Sequence, residues 1–149
     1  MSVAVDVAVD DGLRPALSRA RIAAIAERVL RAERVKNAMV SIALVTRSRI
    51  AVLNARHLGH RGATDVISFG FAPGGVNAAV VGDIYIAPEV ARENAARHGV
   101  GIREELARLV VHGTLHVLGY AHPETDRVAS AMWKRQERLL KSALRGASR

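Results

Sequence analysis

His112-Gly113-Thr114-Leu115-His116-Val117-Leu118-Gly119-Tyr120-Ala121-His122 gathers three of the chain's six histidines into eleven residues. The first two stand at i and i+4. A helix turns once every 3.6 residues, so His112 and His116 project from one face about a turn apart and can chelate one ion. Gly119 can adopt the positive φ that ends a helix, and the chain can then turn back and carry His122 to the same ion. Three neutral imidazoles with a fourth position open to water form the ligand set of a catalytic zinc site. The stretch thus calls for a helix over about 104–118, with Leu106, Leu109, Val110 and Val111 packing beside the ligands. Glu105 and Arg108 precede His112 by two turns and one turn on its own face, within reach of the ion's surroundings.

Zinc peptidases of the H-E-x-x-H type place a glutamate directly after the first histidine as general base; here that position is Gly113. A peptidase or amidohydrolase therefore lacks its usual base and stands as an alternative. Metal-assisted phosphodiester hydrolysis is another chemistry open to such a site. Three imidazoles leave Zn²⁺ its full charge, which acidifies water and stabilises charge on a phosphate oxygen. An all-nitrogen site also suits nickel or copper. Arginine from the 56–61 loop, Arg56 or Arg61, or else Arg108, would hold the phosphate as a fork, and Asp65 and Ser68 would shape the cleft. A non-enzymatic alternative is a zinc-stabilised factor that acts by binding.

Outward from this helix the pattern alternates strands and helices. Residues 2–9 are valine-rich and read as a strand closed by Asp10-Asp11-Gly12. Pro15 opens a helix to about Glu33 with Leu17, Ile22, Ile25, Val29 and Leu30 at helical spacing. Residues 38–46 are nearly all apolar, which predicts a strand buried on both faces. A short helix over about 48–57 and the basic loop His57–Gly62 lead to strands at 65–72 and 80–86, separated by Pro73-Gly74-Gly75. Helices follow over about 88–97, 104–118 and 123–144, and residues 142–149 are expected to fray. The order β-α-β-α-β-β-α-α-α predicts an α+β fold, a single domain over 1–149 with a small mixed four-stranded sheet covered by about five helices.

Net charge is +8 with a pI near 11.1, which favours a polyanionic partner. The surplus is uneven: residues 13–61 hold eleven basic and two acidic side chains, so the basic face is expected mainly there. Nineteen of the 22 basic residues are arginine in an alanine-rich chain, a bias that can arise without a ligand. The aromatics are only Phe69, Phe71, Tyr85, Tyr120 and Trp133, which argues against a broad stacking platform; RNA would be held mostly through phosphates. No apolar run approaches a membrane span and no signal peptide is evident. Zero cysteines exclude disulfides and thiolate ligands and agree with a cytoplasmic setting.

The motif H-G-x-L-H-x-L-G-Y-x-H resembles the signature of the YbeY family of bacterial rRNA maturation factors, described as zinc-dependent single-strand endoribonucleases. Thr64-Asp65-Val66-Ile67-Ser68-Phe69 is similar to that family's T-D-V-L-S-F segment, Gly82-Asp83-Ile84 to its G-D-I segment, and Leu53-Asn54 to its L-N pair. The resemblance spans about residues 40–140. It implies one zinc ion on His112, His116 and His122, and it makes metal-assisted phosphodiester hydrolysis the leading expectation. It further implies trimming of the 3′ end of small-subunit ribosomal RNA, a role in ribosome quality control, and the small ribosomal subunit as partner, with no DNA and no membrane. Two positions depart from the pattern. Leu58 stands where the family has an arginine, with Arg56 and Arg61 nearby, and Ala121 stands where it has an aspartate, leaving Glu124 or Asp126 as carboxylates that could serve instead.

Overall fold

The computed structural model of the chain describes residues 2–71, 79–119 and 126–147, with the backbone alone at 126–130 and 146–147. In chain order the elements are β1 (Val3–Val9), α1 (Arg19–Ala32), β2 (Ala38–Leu44), α2 (Arg47–Leu53) continued by a π-helical turn (Asn54–Leu58), β3 (Val66–Phe71), β4 (Val80–Ile86), α3 (Pro88–His98), α4 (Ile102–Val117) and α5 (Asp126–Ala147). The sheet runs β1-β2-β4-β3; the first three are parallel and β3 closes the edge antiparallel to β4. This is the α+β arrangement of one mixed four-stranded sheet and five helices that the residue pattern predicts.

One face of the sheet carries the main core. Val40, Ile42, Leu44, Ile84 and Ile86 meet Ile22, Ile25 and Val29 of α1, Leu106, Val110 and Leu115 of α4, and Met132, Leu139 and Leu140 of α5. A smaller cluster of Val45, Ile50, Ile67 and Ala87 lies under α2 on the other face. The expectation that β2 is buried on both faces is therefore corrected. Its pattern alternates, with Met39 64 % exposed and Ser41 exposed, because among the described residues α2 reaches only the Ala43 end of that face.

Two helix boundaries also move. Helix α1 begins at Arg19 and not at Pro15, because Ser18 is extended and its side chain accepts the Arg21 N–H at 3.1 Å, the bond that starts a helix. At the other end of the chain, the tail expected to fray from residue 142 is helical through Ala147. Ala143 is buried, and Arg28 Nε donates to Ser142 Oγ at 3.1 Å, so contacts with α1 hold the last turns.

Glycines set how closely α4 lies on the sheet. Gly70 and Gly82 are partners in the β3–β4 ladder and both face Val117 near the end of α4. A Cβ on Gly70 would stand 2.6 Å from the Val117 carbonyl oxygen, and one on Gly82 would overlap both Val117 methyls. The glycine of the G-D-I segment is thus half of a notch that seats the histidine-bearing helix.

Candidate metal centre

His112 and His116 sit on α4 with ring centroids 4.5 Å apart and planes at 65°, the approach that i, i+4 spacing predicts. The helix ends where expected: Gly119 has φ +101° and its N–H reaches the His116 carbonyl at 2.9 Å. His122, Ala121 and Glu124 lie outside the described residues, as does the side chain of Asp126. Among the described residues no three His, Asp or Glu side chains converge as a ligand set.

The chemistry of the pair fits a metal, and side chains of α5 make it so. Arg108 Nε and one terminal nitrogen donate to both oxygens of Glu137 at 3.0 and 3.1 Å. The Glu137 carboxyl feels burial first, which raises its pKa; hydrogen bonds from Arg108 and Gln136 and the charges of Arg108 and Lys141 outweigh this and hold it below 4.5. An ionised carboxylate only accepts, so Gln136 must turn its amide nitrogen to Glu137 (3.2 Å), which leaves its Oε1 facing His112 Nδ1 at 2.6 Å. An amide oxygen also only accepts. His112 must therefore carry its proton on Nδ1, and the lone pair that can ligate a metal is on Nε2.

A cleft of about 640 Å³ opens beside His112 and Gln136, lined by Thr64, Asp65 and Val66 ahead of and in β3, His98 at the end of α3 and Val100 after it, Glu105, Arg108, Leu109 and His112 of α4, and Trp133 and Gln136 of α5. Asp65 faces it while accepting from Asn94 Nδ2 at 3.1 Å. Arg108, considered above as a phosphate fork, spends four of its N–H donors on Glu137, Glu104 and Glu105. The hydrogen bond to Glu137 is the main reason its pKa is raised. Three carboxylates around one guanidinium leave this wall of the cleft negative, which suits a cation and not a phosphate.

Arg56 and Arg61 do not line the cleft. Both are exposed on the loop that Asn54 closes by donating to the Gly62 carbonyl at 3.0 Å, and His57 of that loop rests edge-on against Phe69, 5.5 Å between ring centres. Phe69 alternates with Ser68, so it points to the opposite face of β3. Ser68 lies under α4, its buried hydroxyl oxygen without a hydrogen-bond partner among the described residues. A Cβ on Gly113 would stand 3.1 Å from that oxygen and 2.8 Å from Ile84 Cγ2. Position 113 therefore faces the sheet, and a glutamate base could not reach the cleft from it without displacing α4. Gly113→Ala is expected to cost about 1–2 kcal/mol, because overpacking against the buried Ile84 methyl is partly offset by alanine's helix preference over glycine. Urea denaturation measures it, and an unchanged midpoint would mean the helix is not held that closely.

The Endoribonuclease YbeY family matches residues 11–144 of this chain. The chain belongs to the YbeY family. Similar relatives include Endoribonuclease YbeY of Frankia alni, 36 % identical over 94 % of this chain and 82 % of its own, and that of Thermobifida fusca, 38 % identical over 83 % and 84 %. The solution structure of TM1509 from Thermotoga maritima superposes with a TM-score of 0.63 over 94 % of this chain and 89 % of that one, at 22 % identity, and so supports the fold. Among the described residues no helix is long and apolar enough to cross a membrane.

The residue pattern does not single out Gln136 and Glu137 on α5 or Asn94 on α3, and Trp133 enters it only as one of five aromatics. The signal for Gln136 was present: it falls four residues after Met132 and four before Leu140, on the buried stripe of an amphipathic helix.

Proposed function

We propose that this chain is a metal-dependent endoribonuclease that cuts single-stranded RNA, acting in 3′-end maturation of small-subunit ribosomal RNA and in ribosome quality control, with the small subunit as its partner. Its ion is zinc, held by His112, His116 and His122, and its setting is the cytoplasm. The observation that carries the reading is the His112–Gln136–Glu137–Arg108 relay, which fixes the tautomer a metal ligand needs in a chain whose family members are named endoribonucleases. Bound there, zinc supplies a Lewis acid that polarises phosphoryl oxygen and acidifies water.

The protein's own groups do the rest. Gln136 orients His112, Arg108 holds Glu137 ionised so that Gln136 cannot turn, and Asp65 stands across the cleft. Arg56 and Arg61 are reserved for the phosphates of RNA passing over the loop. Exposed Leu58 in the family's arginine position favours a second reading, a zinc-stabilised ribosome-binding factor.

Cleavage of single-stranded ribosomal RNA by the purified full chain, beside His116→Ala and with metal content measured on both, separates the two. We expect cleavage that disappears with the metal in His116→Ala and under a chelator, and that returns when zinc is restored to the wild type. A zinc-loaded wild type that cuts nothing would leave the binding factor. Equal cleavage by both proteins would remove the metal from the reaction.

A further inference from the structure

The wall of the cleft at Arg108 is acidic, so a polyanion needs cationic guidance from elsewhere. The segment 13–61, expected to provide it, places none of its eleven basic side chains on the cleft lining among the described residues, and three of them are paired, Arg31 with Glu27, Arg47 with Glu93 and Arg49 with Asp10. The exposed side of α5 differs. Lys134, Arg138, Lys141 and Arg145 recur at i, i+4, i+7 and i+11, within roughly 60° of helical arc and over about 16 Å of axis, and none makes an ion pair among the described residues. Trp133 stands beside the first of them, 57 % exposed. It lines both the histidine cleft and a second hollow of about 350 Å³ formed with Lys134, Glu137, Arg138 and Lys141, so its ring stands at the border between the two. Glu137 is the one acidic group lining that hollow among the described residues, and both its oxygens are turned inward to Arg108.

An exposed tryptophan joining a catalytic cleft to a cationic stripe has the chemistry of single-strand recognition, a ring for one base and point charges for the phosphates beyond it. We propose that α5 is the track along which the single strand leaves the cleft, with Trp133 stacking a base at the rim and Lys134, Arg138, Lys141 and Arg145 binding the following phosphates. The proposal rests on the endoribonuclease reading and supplies its substrate path. It adds one stacking contact to the expectation of binding mostly through phosphates.

Trp133 is the chain's single tryptophan, so its fluorescence reports the contact directly. The zinc-loaded full chain is titrated with a short 2′-O-methyl oligoribonucleotide, checked for integrity afterwards, with affinity followed by anisotropy at several salt concentrations. RNA should quench Trp133. Trp133→Ala should raise Kd about 5- to 150-fold with an unchanged salt slope, and Trp133→Phe should retain most of the affinity. Replacing all four basic residues by alanine should reduce the salt slope by about 3, from roughly 0.7 per phosphate on a single strand. All five positions are exposed, and a thermal melt confirms folding. A wild-type slope in the fourfold variant, unquenched fluorescence at saturation, or tighter binding of a polyglutamate peptide than of RNA would each overturn the track. A wild type that shows the quench and slope but cuts nothing would overturn the nuclease reading and leave the track standing.

Discussion

Replacing Arg108 by alanine is expected to destabilise the chain by about 2–4 kcal/mol, a fall in Tm of about 5–15 °C. Among the described residues the guanidinium is the only cation hydrogen-bonded to Glu104, Glu105 and Glu137, and Glu105 is 4 % exposed. Removing it leaves three carboxylates facing one another, one of them buried. The lower bound reflects the solvent side of the cleft, which screens Glu104 and Glu137. The loss should depend on pH with a definite sign. Glu137 is held below 4.5 in the folded protein, so the stability it contributes through Arg108 is present above 4.5 and disappears as pH falls through its lowered pKa. Wild type and variant should therefore differ most near neutral pH and converge in acid. Arg108→Met keeps the apolar stem and should recover little, which separates charge from packing. Urea denaturation across pH measures both. A gap that persists unchanged in acid would show that packing, not ion pairing, is what Arg108 supplies.

The histidine spacing, the helix end at Gly119 and the order of elements were legible because each depends on local chemistry: a 3.6-residue period, a positive φ, runs of apolar residues. What was not legible depended on partners distant in the chain. The apolar run of β2 reads as doubly buried, yet whether a helix covers its second face is decided by where α2 lands, not by β2. The start of α1 turned on one hydroxyl, Ser18, winning over Pro15. Arg108 looked like a phosphate ligand because its position on α4 is correct; its neutralisation by Glu137 spans 29 residues and two helices, and no periodicity encodes that. Gly82 and Gly113 read as motif letters in the sequence, whereas in the fold they are the places where α4 touches the sheet. Gln136 was the recoverable omission, a polar residue on an otherwise apolar stripe, where burial demands a partner that the sequence does not name.

That partner gives the second large effect. Gln136→Leu should weaken zinc binding tenfold to a hundredfold while leaving the thermal midpoint of the zinc-free protein near wild type. Leucine fills a similar volume at a position only 3 % exposed, so packing is largely kept, but it offers His112 no acceptor. Nδ1 then has no reason to hold the proton, the ring can turn or switch tautomer, and the Nε2 lone pair is no longer presented. Gln136→Glu restores an acceptor and should recover most of the affinity, although it adds a negative charge beside Glu137. Competition titration with a zinc chelator measures the affinity, and nitrogen chemical shifts of His112 report the tautomer independently of any cleavage. If Gln136→Leu binds zinc as tightly as wild type and His112 keeps its Nδ1 proton, the orientation of the ligand comes from α4 alone and α5 has no part in building the metal centre. If affinity and tautomer change together, α5 takes part in building the metal centre through Gln136.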